Sequence, residues 1–345
     1  MSERRAFLDR SVGETRGVVT IDDRPERLLI RRDGDDPRTS LGARLVARVA
    51  SVESALATAF LDLGGAEAIL PFRPDQRPIR GASVEVEIRA EARRGKLPIA
   101  RLVGPGEGEP RLLAPPPTLE EALRSYVRDG DIEDGRLARE VADEAEAEVL
   151  EVLHPLPGGG VLAIEPTRAL TAIDVDLGER KGADAKRVAR QANLAALATA
   201  ARLLRLKGLG GIVVLDLVGR GHDGNALLAA ARTAFGPDNP GVAIGAVGRF
   251  GTMELSLPRR VQPLAERLCT ESGALTPRTV AQRLVRLLET EGASNPGARL
   301  EGRCAPEVAI EASPLVRKLG ERLGARFNIV SEPTAAREFV EVRAI

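Results

Sequence analysis

The chain has no tryptophan, one tyrosine, seven phenylalanines, two cysteines and five lysines among its 345 residues. Aromatics at 2% leave few stacking surfaces and argue at first sight against a nucleic-acid partner. Two thiols, Cys269 and Cys304, exclude a disulfide framework and are too few for a Cys-rich zinc site. No run approaches the ~18–20 uncharged apolar residues of a membrane span. The charged opening, Met-Ser-Glu-Arg-Arg, lacks an apolar signal core, so the expectation is a cytoplasmic protein with no membrane partner. Neither sign of charge is in excess: 50 basic and 50 acidic side chains give a net charge of +0, unlike a nonspecific polyelectrolyte binder. The scarcity of lysine against arginine, alongside abundant Ala and Gly, reads as coding bias. What is there, 43% hydrophobic and 29% charged residues, suffices for about two folded domains and not for wholesale disorder.

Periodicity and turn signals organise the chain. Residues 17–31 alternate apolar and polar around an Asp-Asp-Arg-Pro turn and predict a β-hairpin. Five short strand-like runs, 45–52, 59–63, 68–72, 84–88 and 97–103, predict a small closed barrel of the OB type. The Gly/Pro-rich stretch 104–117 reads as an exposed linker. Thr118, with Glu120 and Glu121 behind it, predicts a helix start, and 137–145 a second helix. Strands are expected at 149–153, 161–165 and 170–175, then a long helix from Asp184 to about Leu206 and an apolar strand over 212–218. A helix over 226–235 and strands over 242–247 and 252–257 follow. The strand–helix–strand order from 161 to 218 predicts an α/β layer. The tail, 277–345, reads as a small α+β domain with helices at 279–290 and 314–323 and strands at 308–311, 327–331 and 338–342.

Acidic side chains form the strongest constellation. Asp174 and Asp176 lie two apart on an expected strand and so point to one side. Asp216 interrupts the apolar run over 212–218. If the two strands are parallel neighbours, the aspartates share the carboxyl end of the sheet, where open α/β folds place their active sites. Converging carboxylates call for a divalent cation, and Mg²⁺ is a hard ion that takes a few carboxylates and keeps its waters; such an ion can orient a phosphodiester and activate a water. The same aspartates can equally end a strand and cap a loop. Basic groups cluster at Arg89, Arg93, Arg94, Lys96 and Arg101, at Arg202, Arg205 and Lys207, and at Arg249, Arg259 and Arg260. They are either phosphate ligands or ordinary solvated surface. Phe60 and Phe72 are either stacking platforms or barrel core. His222, six residues after Asp216, is either an acid/base group or an idle loop histidine. The Gly-rich runs 158–160 and 208–211 match no phosphate-binding fingerprint and read as turns.

Read as longer strings, these segments resemble the catalytic region of the ribonuclease E/G family of bacterial endoribonucleases. The strings are Arg168-Ala-Leu-Thr-Ala-Ile-Asp-Val-Asp176, Ala201-Arg-Leu-Leu-Arg-Leu-Lys-Gly-Leu-Gly-Gly-Ile-Val-Val-Leu-Asp216 and Arg249-Phe-Gly-Thr-Met-Glu-Leu-Ser256. A weaker match, 42–49, Thr58-Ala-Phe-Leu-Asp-Leu-Gly64 and Ile69-Leu-Pro71, looks like the family's inserted S1 barrel. The resemblance implies an α/β protein with a split RNase H-like layer (1–37 plus 105–146) and an inserted S1 (OB-type) barrel (38–104). After these come an α/β catalytic subdomain (147–265, DNase I-like in the family), a degenerate zinc-link segment (266–276) and a small α+β C-terminal domain (277–345).

It further implies a Mg²⁺-dependent endoribonuclease in which metal-activated water attacks a phosphodiester of single-stranded RNA. Asp174 and Asp216 would hold the ion and Asp176 would tune it, while Phe60, Lys96, Arg94 and Arg249 would bind RNA. Several family features depart. Asp176 stands where the family usually has an Asn that hydrogen-bonds phosphate, and Ile69 replaces a second barrel aromatic. Cys269-Thr-Glu-Ser272 replaces a Cys-x-x-Cys zinc link, so neither zinc nor a zinc-linked dimer is expected. The stretch before Thr118 is too short for the family's 5′-monophosphate sensor, and Gly241 stands where the sensor arginine would be. No degradosome scaffold segment is expected. These departures motivate an alternative: an RNA-binding protein with the ribonuclease E/G fold and weak or lost catalytic activity.

Overall fold

The computed structural model describes residues 3–127, 130–180, 184–237 and 241–345; the first two residues of the charged opening lie outside them. The chain opens with an antiparallel meander, β1 (Arg4–Ser11), β2 (Glu14–Ile21) and β3 (Arg24–Arg32); the middles of β1 and β2 are buried on both faces, and burial alternates along β3. The expected hairpin is β2–β3, closed by Asp22 and Asp23 at φ 50 and 60, a conformation that Asp tolerates better than most residues. Strand β1 escapes the sequence pattern because it buries a charge: Asp9 is in the interior, where the guanidinium groups of Arg139 and Arg286 meet it.

The barrel forms as expected. Strands β4 (Arg44–Glu53), β5 (Thr58–Asp62), β6 (Glu67–Pro71), β7 (Ser83–Ala90) and β8 (Ile99–Pro105) close in the order β4-β5-β6-β8-β7 and back to β4. A bulge in β4 between Val49 and Ser51 gives this one strand the bend it needs to pair on both sides. Leu45, Val49, Leu61, Leu70, Val86 and Ile88 fill the interior. The expected linker is partly a strand, β9 (Arg111–Ala114), which pairs with β4; its backbone groups find an open ladder that composition cannot foresee. Past the barrel come α1 (Leu119–Val127), β10 (Ile132–Glu133) and α2 (Gly135–Leu150). Thr118 and Glu121 make a reciprocal capping box at the start of α1. Strand β10 returns to pair in parallel with β1, so the first sheet is completed only after the barrel.

Next come β11 (Leu153–Pro155), β12 (Val161–Pro166), β13 (Thr171–Asp176), α3 (Ala185–Leu206), β14 (Gly211–Asp216), α4 (Gly224–Phe235), β15 (Ala243–Val247) and β16 (Thr252–Leu257). They form a six-stranded sheet in the order β11-β12-β13-β14-β16-β15, with β13 and β14 parallel across the α3 crossover. One core joins both sheets: Phe7, Val18, Leu28 and Ile30 of the meander pack with the buried faces of α2 and α3 and with Ile173, Val213 and Leu215. The other face of the six-stranded sheet is left open.

The expected strand at 149–153 is not there, because α2 runs on to Leu150. Its last carbonyls, those of Glu148 and Val149, and that of Glu151 accept from the Lys207 ammonium at 3.2, 2.7 and 2.6 Å, a cap supplied from the end of α3. Arg202 binds Glu148 in the same place, and Arg205 pairs with Glu26 at 2.7 Å. This basic group is therefore structural and turned inward.

The chain ends with α5 (Leu264–Leu268), α6 (Pro277–Ser294), β17 (Leu300–Cys304), α7 (Pro306–Leu323), β18 (Phe327–Ser331) and β19 (Val340–Ala344). Residues 308–311, expected as a strand, lie inside α7, and the strand of that region is β17. Pro306 starts α7, and Pro314 sits within it. The helix survives Pro314 because Val308, Ala312, Val316 and Leu319 are buried, while Pro314 and Ile310 face solvent, where water can satisfy the carbonyl left without a donor. Among the described residues, no helix is long and apolar enough to cross a membrane.

His154 on β11 is buried and its Nε2 has no hydrogen-bond partner. Burial, reinforced by the Lys207 charge, pushes its pKa down to about 4. Between the ordinary value of 6.5 and about 4, the unfolded chain binds a proton that the folded chain refuses, so stability falls as pH falls through that window. Replacing His154 with Leu should remove up to about 3 kcal/mol of this acid-side loss. Urea unfolding at pH 7 and at pH 4.5 reads it, and equal pH dependence in both proteins would refute the assignment.

Candidate active site

The parallel pairing of β13 with β14 puts Asp174 directly opposite Asp216 at the carboxyl end of both strands. Ile173, Val175 and Leu215 are buried toward the helices, so alternation turns the two carboxylates to the open face, where both are exposed. Ala163 lies across from Asp174 on β12 and Thr252 across from Asp216 on β16, which leaves the floor of the site lined by small side chains. Neither carboxylate makes an ion pair or a hydrogen bond among the described residues.

Asp176 shares that face one strand repeat further on, but its Oδ1 accepts the Gly178 N–H at 2.7 Å and shapes the turn leaving β13. The expected cluster of three is therefore a pair beside a turn-forming aspartate. Among the described residues, no three His, Cys, Asp or Glu side chains gather as a metal cluster. A pair still fits a hard divalent ion, which commonly takes one or two carboxylates and fills its remaining positions with water and phosphate oxygens.

The end of β14 is held from two sides. Asn193, fully buried on α3, donates to the Val218 carbonyl at 3.0 Å and accepts the Val218 N–H at 3.1 Å. On the other side, the Leu217 N–H donates to the Gly251 carbonyl at 3.2 Å. Gly251, at φ +88, belongs to the β15–β16 turn, where a Cβ would come within 3.3 Å of His222 Nε2. That nitrogen is enclosed and unpartnered. Arg249 is exposed on the turn, its guanidinium 4.5 Å from the centre of the Phe250 ring. Sequence reasoning passed over Asn193 and Phe250. The available signals were a polar residue on the apolar face of an Ala/Leu-rich helix, and a rare aromatic set between Arg and Gly.

The other expected site residues sit on the barrel, apart from the aspartates. Phe60 points outward, half-buried, between buried Ala59 and Leu61, with Ile69 beside it on β6; Phe72 packs against the barrel core instead. Lys96 is exposed in the β7–β8 turn with no ion pair among the described residues. Arg94 is engaged: its N–H donates to Glu266 at 2.6 Å and its guanidinium lies 3.5 Å from Glu271. Arg89 and Arg101 both pair with Glu87, and Arg259 donates to the Gly210 carbonyl. Of the expected basic surface, Arg89, Arg94 and Arg101 are thus already paired with carboxylates. Contacts from Glu91 to Arg260 and Gln262 fasten the barrel to the segment after β16. Cys269 is half-buried and enters a tight turn closed by Thr270 and Ala274. Cys304 is buried in β17, where desolvation pushes its thiol up to about 11.

Fold and site together define a mixed α/β protein that couples a closed five-stranded barrel to an open sheet ending in paired carboxylates. Residues 120–260 match the model of the ribonuclease E/G family. Ribonuclease E of Haemophilus influenzae is 34% identical over 146 residues, covering 39% of this chain and 16% of that protein. Ribonuclease E of Escherichia coli is 34% identical over the same length, covering 14% of that protein. The chloroplastic ribonuclease E/G-like protein of Arabidopsis thaliana is 34% identical over 129 residues, covering 13% of its length. The matched region thus spans under a fifth of each of these relatives. Residues 120–260 are thus a region of the ribonuclease E/G family kind, similar in sequence to these relatives.

Asn193 is the support whose loss is easiest to read. Asn193→Leu leaves both Val218 backbone groups without their partner, at a cost of about 2–3 kcal/mol, and should speed amide exchange at 217–219. Unchanged exchange and an unchanged unfolding midpoint would show that the clamp carries no load.

Proposed function

We propose that the protein is a metal-dependent endoribonuclease acting on single-stranded RNA in processing or decay, with Mg²⁺ as its ion. The observation that carries this reading is the in-register pair Asp174 and Asp216, exposed at the end of two parallel strands and without partners among the described residues. Paired carboxylates in water repel one another, and a dication relieves that repulsion. An ion held there supplies charge neutralisation at a phosphodiester and a bound water of lowered pKa. The chain's own part is positional. Asn193 and Gly251 hold the end of β14, and thereby Asp216, in place. Asp176 shapes the adjacent turn and adds negative field near the pair. Arg249 offers a guanidinium to phosphate, and Phe60 with Lys96 offers a base-stacking and backbone-binding surface on the barrel. Arg94, tied to Glu266 and Glu271, acts in this scheme through its position at the barrel's junction.

With this function goes a domain reading. Residues 1–37 and 105–146 form a split RNase H-like subdomain and 38–104 an S1-type barrel. Residues 147–265 form the catalytic subdomain, 266–276 a degenerate zinc link without metal, and 277–345 a small α+β domain. The return of β10 to β1 after the barrel supports the insertion.

One observation favours the second reading, an RNA-binding protein of weak activity. The Asp176 carboxylate is an acceptor occupied by the Gly178 N–H, and while ionised it has no proton to donate to a phosphate.

A fluorescent single-stranded oligoribonucleotide should be cut with Mg²⁺ and left intact with chelator. Asp174→Ala and Asp216→Ala should each lower the rate by ~100-fold or more. RNA that is bound but never cut would select the second reading. Cleavage should also be indifferent to the 5′ end, with similar rates on 5′-hydroxyl and 5′-monophosphate substrates; a large preference for the monophosphate would overturn that part.

A further inference from the structure

Phe250 is 78% exposed, more than any other large hydrophobic among the described residues. The chain has seven phenylalanines. Phe7 and Phe235 are buried, and Phe72 and Phe327 pack against cores. A large ring left in water forgoes the burial that normally places it, and here its position is not that of a loose loop. Gly248 N–H donates to the Thr252 carbonyl at 2.8 Å and Gly251 N–H to the Gly248 carbonyl at 3.0 Å, which closes the turn. The bond from Leu217 to Gly251 ties the turn to the residue following Asp216. Thr252, two residues from Phe250, is the register partner of Asp216. Beneath the turn stands His222, whose enclosed, unpartnered Nε2 faces Gly251.

We propose that Phe250 and Arg249 form a base-stacking platform for single-stranded RNA beside the paired aspartates, propped from below by His222; the proposal rests on the ribonuclease reading. A guanidinium covers one face of the ring at 4.5 Å, and the high exposure leaves the rest of the ring open to a planar ligand. A nucleotide matches both parts, its base to the aromatic face and its phosphate to the cation. A protein partner matches poorly. A stable protein interface buries roughly 800 Å² on each side, whereas this apolar surface is a single ring in the run Gly248-Arg249-Phe250-Gly251. His222 is a positioning residue: it fills the space that a side chain at 251 would take and keeps the turn against β14.

The chain has no tryptophan, so Phe250→Trp installs a single reporter at the proposed platform. In chelator, where nothing is cut, unlabelled single-stranded oligoribonucleotide should quench this tryptophan with the same midpoint as the anisotropy of a labelled copy. Phe250→Ala should weaken binding about 10-fold. A readout that needs no variant is photocrosslinking of 4-thiouridine RNA to the natural protein, which should mark Phe250 or its neighbours in the turn. RNA bound with the tryptophan unmoved, undiminished affinity in Phe250→Ala and crosslinks elsewhere would overturn the platform and leave the ribonuclease reading standing. Natural protein that neither binds nor cuts RNA would overturn that reading, and the platform with it.

Discussion

A guanidinium with no access to water is the constraint on which the rest of the fold depends. Arg16, on β2, meets Glu14 at 2.6 Å, Asp143 at 3.2 Å and also Glu146, while Arg32 closes on Glu14 at 2.7 Å. Burial alone would push the Glu14 carboxyl up, and the two guanidinium charges more than offset it, holding it below the usual carboxylate range. The network continues through Arg286 to Asp9 and Asp143, and through Arg139 to Asp9 and Glu289. It therefore locks the meander, α2 and α6 together. Deleting one member of such a group leaves an unpaired buried charge, a loss of about 3–5 kcal/mol.

The consequence reaches the active end of the molecule through packing. Helices α2 and α3 share one core between the two sheets, and Lys207 and Arg202 bind α3 to the end of α2. Because α3 is the crossover between β13 and β14, its seat governs the register in which Asp174 meets Asp216. Asn193 on the same helix then holds the chain just past Asp216. Ionic order in the interior and the exposed carboxylate pair at the surface are thus two ends of one mechanical chain.

The same accounting recasts the balanced composition. Fifty basic and fifty acidic groups do not describe a uniformly neutral surface. Many arginines are consumed inside or at the surface by specific carboxylates: Arg16 and Arg286 in the core, Arg202 and Arg205 at helix ends, Arg89 and Arg101 on the barrel. Among the described residues, the charges left without an ion pair include Lys96 on the barrel, Arg249 above its phenylalanine, and the two aspartates. Net charge averages over these and is a weak guide to the partner.

Local physics was legible wherever it decided the outcome. Alternation located the barrel strands within about two residues, the Thr118–Glu121 box marked α1, and Asp184 marked α3, whose Lys186 and Arg187 N–H groups it accepts. Reading failed where distant residues overrode propensity: β1 buries an aspartate because Arg286 is there, α2 outruns its pattern because Lys207 caps it, and β9 pairs because the start of β4, Arg44 to Val46, lies beyond the reach of β5. The candidate site divides in the same way. The sequence by itself determined which acidic residues end strands on one face, since side-chain alternation is a property of the strand alone. Only the tertiary structure decided that Asp174 and Asp216 stand side by side, that Asp176 turns to its own loop, and that Phe250 is left in the open. Pairing across a crossover and the burial of one ring rather than another depend on residues far apart in the chain, about which local sequence carries no information.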